Sequence, residues 1–227
     1  MKHIAIAIDG PSGAGKSTIA KALAQELSFL YVDTGAIYRT VGLFVFRKGI
    51  DPANEAAVSA LLPEIQIDLR YQDGTQHMLL HGEDVTRAIR EHQISDYASK
   101  VSAHPSVRAF LLQTQRSYAQ THNVIMDGRD IGTVVLPDAQ IKIFLTASCE
   151  DRARRRYLEL CEKGQDVAFE TVLRDIQTRD YQDSHRAAAP LKPADDAILV
   201  DTTGNTLEES VSALRAIVKE RMKQHVL

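Results

Sequence analysis

A chain of 227 residues with 44% apolar side chains has ample material for one packed core, possibly with an insert, and does not have the composition of a disordered chain. Its formal net charge of -3 argues against a general polyanion binder such as a nucleic-acid-binding module, so a phosphate site must be a local concentration of Lys and Arg in a cleft. Cys149 and Cys161 lack companion metal ligands, no apolar run nears the length of a membrane span, and the first apolar run is broken at Asp9; the expectation is a cytoplasmic chain in a reducing compartment, with no membrane contact and no leader.

Residues 3–8 alternate as a strand and lead directly into Gly10-Pro11-Ser12-Gly13-Ala14-Gly15-Lys16-Ser17, a complete G-x-x-x-x-G-K-[ST] string. A strand delivering such a loop to the start of a helix is the context in which backbone N–H groups cradle nucleotide phosphates. Gly10, Gly13 and Gly15 permit the required backbone approach, Lys16 can bridge the outer phosphates, and the Ser17 hydroxyl can ligate Mg2+. Residues Gly10 to Thr18 form the expected binding segment for a nucleotide polyphosphate. A helix is predicted over 15–28, with Ile19, Ala20, Leu23 and Leu27 at helical spacing, then a strand over 29–32 and a helix over 35–48 that Gly49 ends.

The pattern then changes. Residues 54–62 read as a short helix, and 65–71 and 76–81 alternate as an antiparallel pair around an Asp73-Gly74 turn. That pairing would put His77 and His81 on one strand face. Residues 82–89 suggest a further strand or a helix start, and helical spacing returns over 95–100 and 105–118. Strands at 123–126 and 141–145, helices at 150–163 and 169–183, a strand at 197–200 and a helix at 206–223 complete the chain. Strand and helix alternate at both ends of the sequence, which predicts an α/β fold: a parallel sheet flanked by helices, with a small antiparallel insert.

Four clusters beyond the loop carry chemistry. In Asp33-Thr34-Gly35-Ala36-Ile37-Tyr38-Arg39, Thr34 is placed to cap the next helix with Arg39 near its start. Asp127-Gly128-Arg129-Asp130 ends an apolar strand, the position at which open α/β sheets hold ligands; Asp127 is a candidate partner of Mg2+ and Arg129 offers a planar fork to phosphate. Arg152, Arg155 and Arg156 share a helix face, with Arg154 projecting elsewhere. They read either as a solvated basic surface or as a lid whose arginine stabilises the transferring phosphoryl group. Arg179, Asp183 and Arg186 share a face if their helix continues, giving either a surface ion pair or a clamp with Arg186 on phosphate and Asp183 on a sugar hydroxyl or an arginine. No histidine has metal-ligand spacing.

In this order, GPSGAGKS, DTGAIYR, DGRDIGTVV and RDYQDSHR resemble the bacterial cytidylate kinases of the nucleoside monophosphate kinase family, over nearly the whole chain. The resemblance implies a single P-loop kinase domain over 1–227, with a CMP-binding region at 34–108, an insert at about 63–102, and a helical lid with arginine-rich helices at 149–186. It implies ATP and CMP or dCMP as substrates, Mg2+ as cofactor, and a monomer. By the same resemblance Thr34, Tyr38, Arg39, Ser99, Arg108, Arg129, Asp130, Arg179, Asp183 and Arg186 would line the CMP site. Lys16, Arg129, Arg152, Arg156 and Arg186 would act on the phosphoryl group, and Ser17 and Asp127 on the metal. Asp130 with Ser99 would accept from the cytosine amino group while Arg108 donates to the ring acceptors, a pattern uracil cannot match. Thr34 stands where the family also carries serine, and Ser17 where several of these kinases carry glycine. The competing readings are a P-loop kinase of another small acceptor, such as a different nucleotide or shikimate, and a GTPase-like switch. Asp201-Thr202-Thr203-Gly204 gives the switch a D-x-x-G string, but one late in the chain and without a guanine-reading N-K-x-D.

Overall fold

The computed structural model describes residues 3–72 and 74–225, and the chain divides into two compact units, one built from residues up to Leu30 and from His122 onward, the other from Tyr31 to Thr121. The first unit begins with β1 (Ala5–Asp9), buried along its whole length, which leads through the glycine-rich loop into α1 (Lys16–Leu27). Strand β2 (Leu30–Asp33) carries the chain from the first unit into the second.

Within the second unit follow α2 (Thr34–Arg47), α3 (Glu55–Leu61), β3 (Ile67–Gln72), β4 (Thr75–Leu80), β5 (Glu83–Asp84), α4 (His92–Val101) and α5 (Pro105–Thr121). The first unit resumes with β6 (Val124–Gly128), a π-helical turn at Ile131–Val135, β7 (Ile141–Thr146), α6 (Cys149–Glu162), α7 (Phe169–His185), β8 (Ile198–Asp201) and α8 (Leu207–His225). The five-stranded sheet has the order β2-β6-β1-β7-β8, with β1 pairing parallel to both β6 and β7, and β7 to β8. Both central strands, β1 and β6, are apolar without alternation because neither face meets water. The buried stripe of α1, Ile19, Ala20, Leu23 and Ala24, and Leu214 and Val218 of α8 contribute to the core of this unit. Asn123 holds the entry to β6: its side-chain oxygen accepts from Ile4 N and its carbonyl from Leu30 N.

In the second unit, β3, β4 and β5 form a separate antiparallel sheet in that order. Gly74 lies in the hairpin at φ 73, and Asp73 is outside the described residues. The second turn differs from the sequence expectation. His81 does not continue the strand with His77: at φ 52 it joins Gly82, at φ 81, in a two-residue loop that sets Leu80 opposite Glu83. His81 stacks on Phe44 of α2 at 5.5 Å, whereas His77 pairs with Asp84 at 2.8 Å. From residue 82 onward the chain forms both a further strand, β5, and a helical start, a 3-10 turn at Ala88–Arg90. Asp33 rather than Thr34 caps α2, its carboxylate accepting from Ala36 N at 2.8 Å, because the helix begins one residue earlier than its apolar spacing suggested.

Helices α2 and α4 meet at Gly42, where a Cβ would lie 2.9 Å from Ala98 N and 3.3 Å from Ala98 Cα. Both obstructing atoms are backbone, so neither can rotate aside. Gly42→Ala should lower the unfolding free energy by about 1–3 kcal/mol in a denaturant titration despite the better helix propensity of alanine.

Candidate active site

Gly10 leaves β1 at φ 149, and a Cβ there would fall 1.9 Å from the carbonyl oxygen of Leu145. Only glycine lets the loop pass β7. At the far end of the loop, Gly15 adopts φ 84 and its carbonyl accepts from Ile19 N, so α1 starts at Lys16 with its first N–H groups facing the loop. Lys16 is 5% exposed and its Nζ donates to the Pro11 carbonyl at 2.6 Å. Burial above all, then the neighbouring Arg129, drive its pKa well below the usual lysine value, against the pull of Asp127, Asp183 and Asp9.

The Ser17 hydroxyl donates to Asp127 Oδ2 at 2.8 Å. Among the described residues no group of three or more His, Cys, Asp or Glu side chains is arranged to hold a metal by itself. One hydroxyl backed by one strand-end carboxylate suits a small hard cation that draws its remaining oxygens from phosphate and water.

Beside the loop lies a compact ionic cluster. Arg129 Nε donates to Asp183 Oδ2 at 2.8 Å, while Arg186 stands 3.9 Å from the other oxygen of Asp183 and 3.7 Å from Asp130 Oδ1. Burial would raise the Asp183 pKa, but Arg129, Arg179 and Arg186 together hold it below the usual carboxylate value. The helix carrying Arg179 and Asp183 ends at His185, so Arg186 leaves the shared face and turns on an extended backbone, where its Nε donates to Ala189 O at 2.7 Å.

The arginine run on α6 separates into different roles. Arg152 is 5% exposed; its Nε donates to Ala147 O, Nη1 to the Ser12 carbonyl of the phosphate loop at 3.0 Å, and Nη1 and Nη2 to both oxygens of Asp180 at 3.0 and 2.6 Å. Its stem also fills the space over Gly13, where a Cβ would come within 3.2 Å of Arg152 Cβ. Arg155 instead donates to Thr202 O at 2.7 Å in the turn after β8, and Arg156 pairs on the surface with Glu159 of its own helix. Helices α6 and α7 share a small core of Ala153, Val172 and Ile176. Asp201, from the D-x-x-G string, caps its own turn by accepting from Thr203 N and Oγ1.

The second unit carries its own cluster. Asp33 is buried and receives Arg39 at 3.2 Å and Arg90 at 3.0 Å on Oδ2. Its burial raises the pKa, yet Arg39 and Arg90 bring it below the usual value. Thr34 is buried beside it. Arg108 lies 5.5 Å over the Tyr38 ring and donates to Ser102 O, and the Ser99 carbonyl accepts from Ser102 Oγ at 2.8 Å. The residues singled out from sequence thus fall into two sets: Lys16, Ser17, Asp127, Arg129, Asp130, Arg152, Arg179, Asp183 and Arg186 in the first unit, Thr34, Tyr38, Arg39, Ser99 and Arg108 in the second.

Sequence reasoning missed Asp180, Arg90 and Asp9. The first two meet their partners across 28 and 57 residues of chain, which no local pattern encodes. Asp9 was visible only as a charge ending an apolar strand. It is 4% exposed, and its two oxygens accept from Ile131 N and Gly132 N at 2.7 Å each. Burial pushes its pKa up to about 6 against those two hydrogen bonds.

Comparison with known proteins agrees with this chemistry. The sequence profile of the family described as cytidylate kinase matches residues 6–220. A cytidylate kinase of Geobacter sulfurreducens is 49% identical over 220 residues, covering 97% of this chain and 94% of the relative. One from Carboxydothermus hydrogenoformans is 50% identical over 213 residues, covering 94% and 96%. The crystal structure of an uncharacterised protein from Eubacterium ventriosum superposes with a TM-score of 0.50 at 13% identity, covering 96% of this chain and 99% of its own, a likeness of fold alone.

Two outcomes follow from these contacts. Asp180→Asn removes one arm of the bidentate pair that holds the largely buried Arg152 and should lower the unfolding free energy by about 1–3 kcal/mol in a denaturant titration. Asp9 has a folded pKa above its unfolded value, so its protonated form favours folding and its contribution is lost as pH rises from about 4 to about 6. Urea titrations at pH 4.5 and 6.5 should show the wild type losing on the order of 2 kcal/mol relative to Asp9→Asn across that window.

Proposed function

The chain belongs to the cytidylate kinase family and is a phosphotransferase, and from that premise we propose that it transfers the γ-phosphoryl group of ATP to CMP or dCMP, giving ADP and CDP or dCDP. The observation that carries the reading is the buried Lys16, whose charge Arg129 disfavours, beside an Arg129 whose own charge Asp183, Asp127 and Asp9 support. Two such cations beside a phosphate loop create a demand for anionic oxygens.

Residues Gly10 to Thr18 hold the ATP phosphates, with Lys16 on the oxygens that gain charge as the bond to the leaving group breaks. Arg129 and Arg186 take the acceptor phosphate and Asp183 orients Arg129, which the 2.8 Å bond between them supports. In the second unit Arg39 also serves the acceptor phosphate, and Thr34 and Tyr38 serve the nucleotide. Asp130 and Ser99 accept from the cytosine amino group and Arg108 donates to the ring. An acceptor phosphate oxygen is already a nucleophile, so no general base is needed; the residues align two anions and offset their repulsion. The Mg2+ that accompanies ATP neutralises phosphate charge when bound, and Ser17 Oγ with Asp127 behind it is the pair that would hold it. We assign α6 and α7 to a lid in which Arg152 fixes the phosphate loop and Arg156, in a salt-screened surface pair, is the arginine able to move. Among the described residues no helix is long and apolar enough to cross a membrane.

ADP production from Mg·ATP with CMP, dCMP, UMP, AMP and shikimate as parallel acceptors tests this reading. Turnover should be confined to CMP and dCMP, and Asp130→Ala should lower kcat/KM for CMP roughly 10–100-fold while narrowing the preference over UMP. Turnover favouring another acceptor would overturn the cytosine assignment. Ser17→Ala should raise the Mg2+ concentration needed for half-maximal rate.

A further inference from the structure

Asp9 belongs to none of the sets above, yet it is the buried carboxylate that joins the phosphate loop to the acceptor-side cluster. It is the last residue of β1, directly before Gly10, and it reaches across more than 120 residues of sequence to the turn after β6. Its two oxygens accept from Ile131 N and Gly132 N, the first two N–H groups of the π-helical turn, which have no partner inside that turn. Asp130 precedes them at φ -146 and ψ 27, and its carbonyl accepts from Val134 N and Val135 N. Asp9 therefore clamps one end of a five-residue turn whose entry is Arg129-Asp130.

The residue type matters. Each N–H meets its own oxygen at 2.7 Å, an arrangement that uses both oxygens of a carboxylate, whereas an amide in the same place would turn an NH2 toward one of the two N–H groups. The fit is close: a Cβ at Gly132 would lie 3.4 Å from Asp9 Oδ2 and 3.2 Å from Lys142 Cδ. A carboxylate kept in so dry a place carries a desolvation cost that an apolar side chain would avoid. Such a cost at a strand end beside the phosphate loop marks a group retained for position.

We propose that Asp9 is a positioning residue for the acceptor: by holding Ile131 N and Gly132 N it fixes the orientation of Arg129 and Asp130, and so governs acceptor affinity and choice of base. This rests on the phosphotransfer reading above. Asp9 touches neither substrate in this account, and the chemical step proceeds without a proton passing through it.

The test is steady-state kinetics on the full chain with ATP and CMP varied separately, for the wild type, Asp9→Asn, Gly132→Ala and Val218→Ala. Asp9→Asn keeps the volume but turns an NH2 toward one of the two N–H groups. Gly132→Ala sets a methyl group against the same carboxylate, 3.4 Å from Oδ2, with the Lys142 side chain at 3.2 Å as its tighter neighbour. Val218→Ala opens a cavity in α8 and serves as a control for lost stability alone. Both Asp9→Asn and Gly132→Ala should raise KM for CMP at least tenfold with KM for ATP changed less than threefold, and should narrow the kcat/KM preference for CMP over UMP. The control should lower Tm without moving either ratio. A Tm loss in both turn variants with unchanged KM values and base preference would reduce Asp9 to a structural role, and a rise confined to KM for ATP would assign it to the phosphate loop; either overturns the inference. Should Asp9→Asn fail to fold, Gly132→Ala decides by the same criteria. Wild-type turnover of CMP tests the functional reading by itself, and if the wild type uses another acceptor the same KM split with that acceptor still decides the role of Asp9.

Discussion

Removing the Lys16 ammonium from water is the constraint to which the first unit is built. A primary amine 5% exposed at the start of a helix loses most of its hydration and gains in exchange one carbonyl, Pro11 O, and the field of three carboxylates. Arg129 adds a second cation to the same neighbourhood. The balance is tolerable because Asp127, Asp183 and Asp9 are themselves buried and supply negative charge at short range. It is incomplete, as the pKa of Lys16, depressed first of all by burial, shows, and in the proposed phosphotransfer the phosphate oxygens would complete it.

The two units use one device. In each, a buried aspartate holds arginines in place and stays ionised because they surround it: Asp183 between Arg129 and Arg186, Asp33 between Arg39 and Arg90. A guanidinium fixed in this way has lost its rotamer freedom before a ligand arrives, so less entropy is spent at the moment of binding. Asp33 faces two arginines and leaves one positive charge over, whereas in the first unit Asp130, 3.7 Å from Arg186, offsets the second arginine at Asp183. The same economy appears at Arg152, where Asp180 fixes the guanidinium and a remaining donor reaches the Ser12 carbonyl.

Much of this was legible in the sequence where a local pattern carried it. The phosphate loop, the helix it opens, the buried strands and the antiparallel insert followed from spacing and glycine placement, because each depends on residues close in the chain. The β3–β4 pairing agrees with that reading. What escaped it depends on distance in sequence. The Arg152–Asp180, Arg90–Asp33 and Asp9–Ile131 contacts join segments that no periodicity relates. Helical spacing put Arg152, Arg155 and Arg156 on one face but did not encode that the first meets the phosphate loop and the second the turn after β8. His81 left its strand because the adjacent Gly82 also takes positive φ, a turn geometry that alternation hides.

The most direct test of the central claim is the thermal unfolding of the wild type and Lys16→Met, each with and without Mg·ATP. If Lys16 is a buried charge maintained for phosphate at the expense of stability, free Lys16→Met melts no lower than the free wild type, and Mg·ATP raises the wild-type Tm while leaving that of the variant unmoved. A variant that melts several degrees lower yet keeps the full Mg·ATP shift would contradict the account, since Lys16 would then be a structural cation and the nucleotide would be held elsewhere.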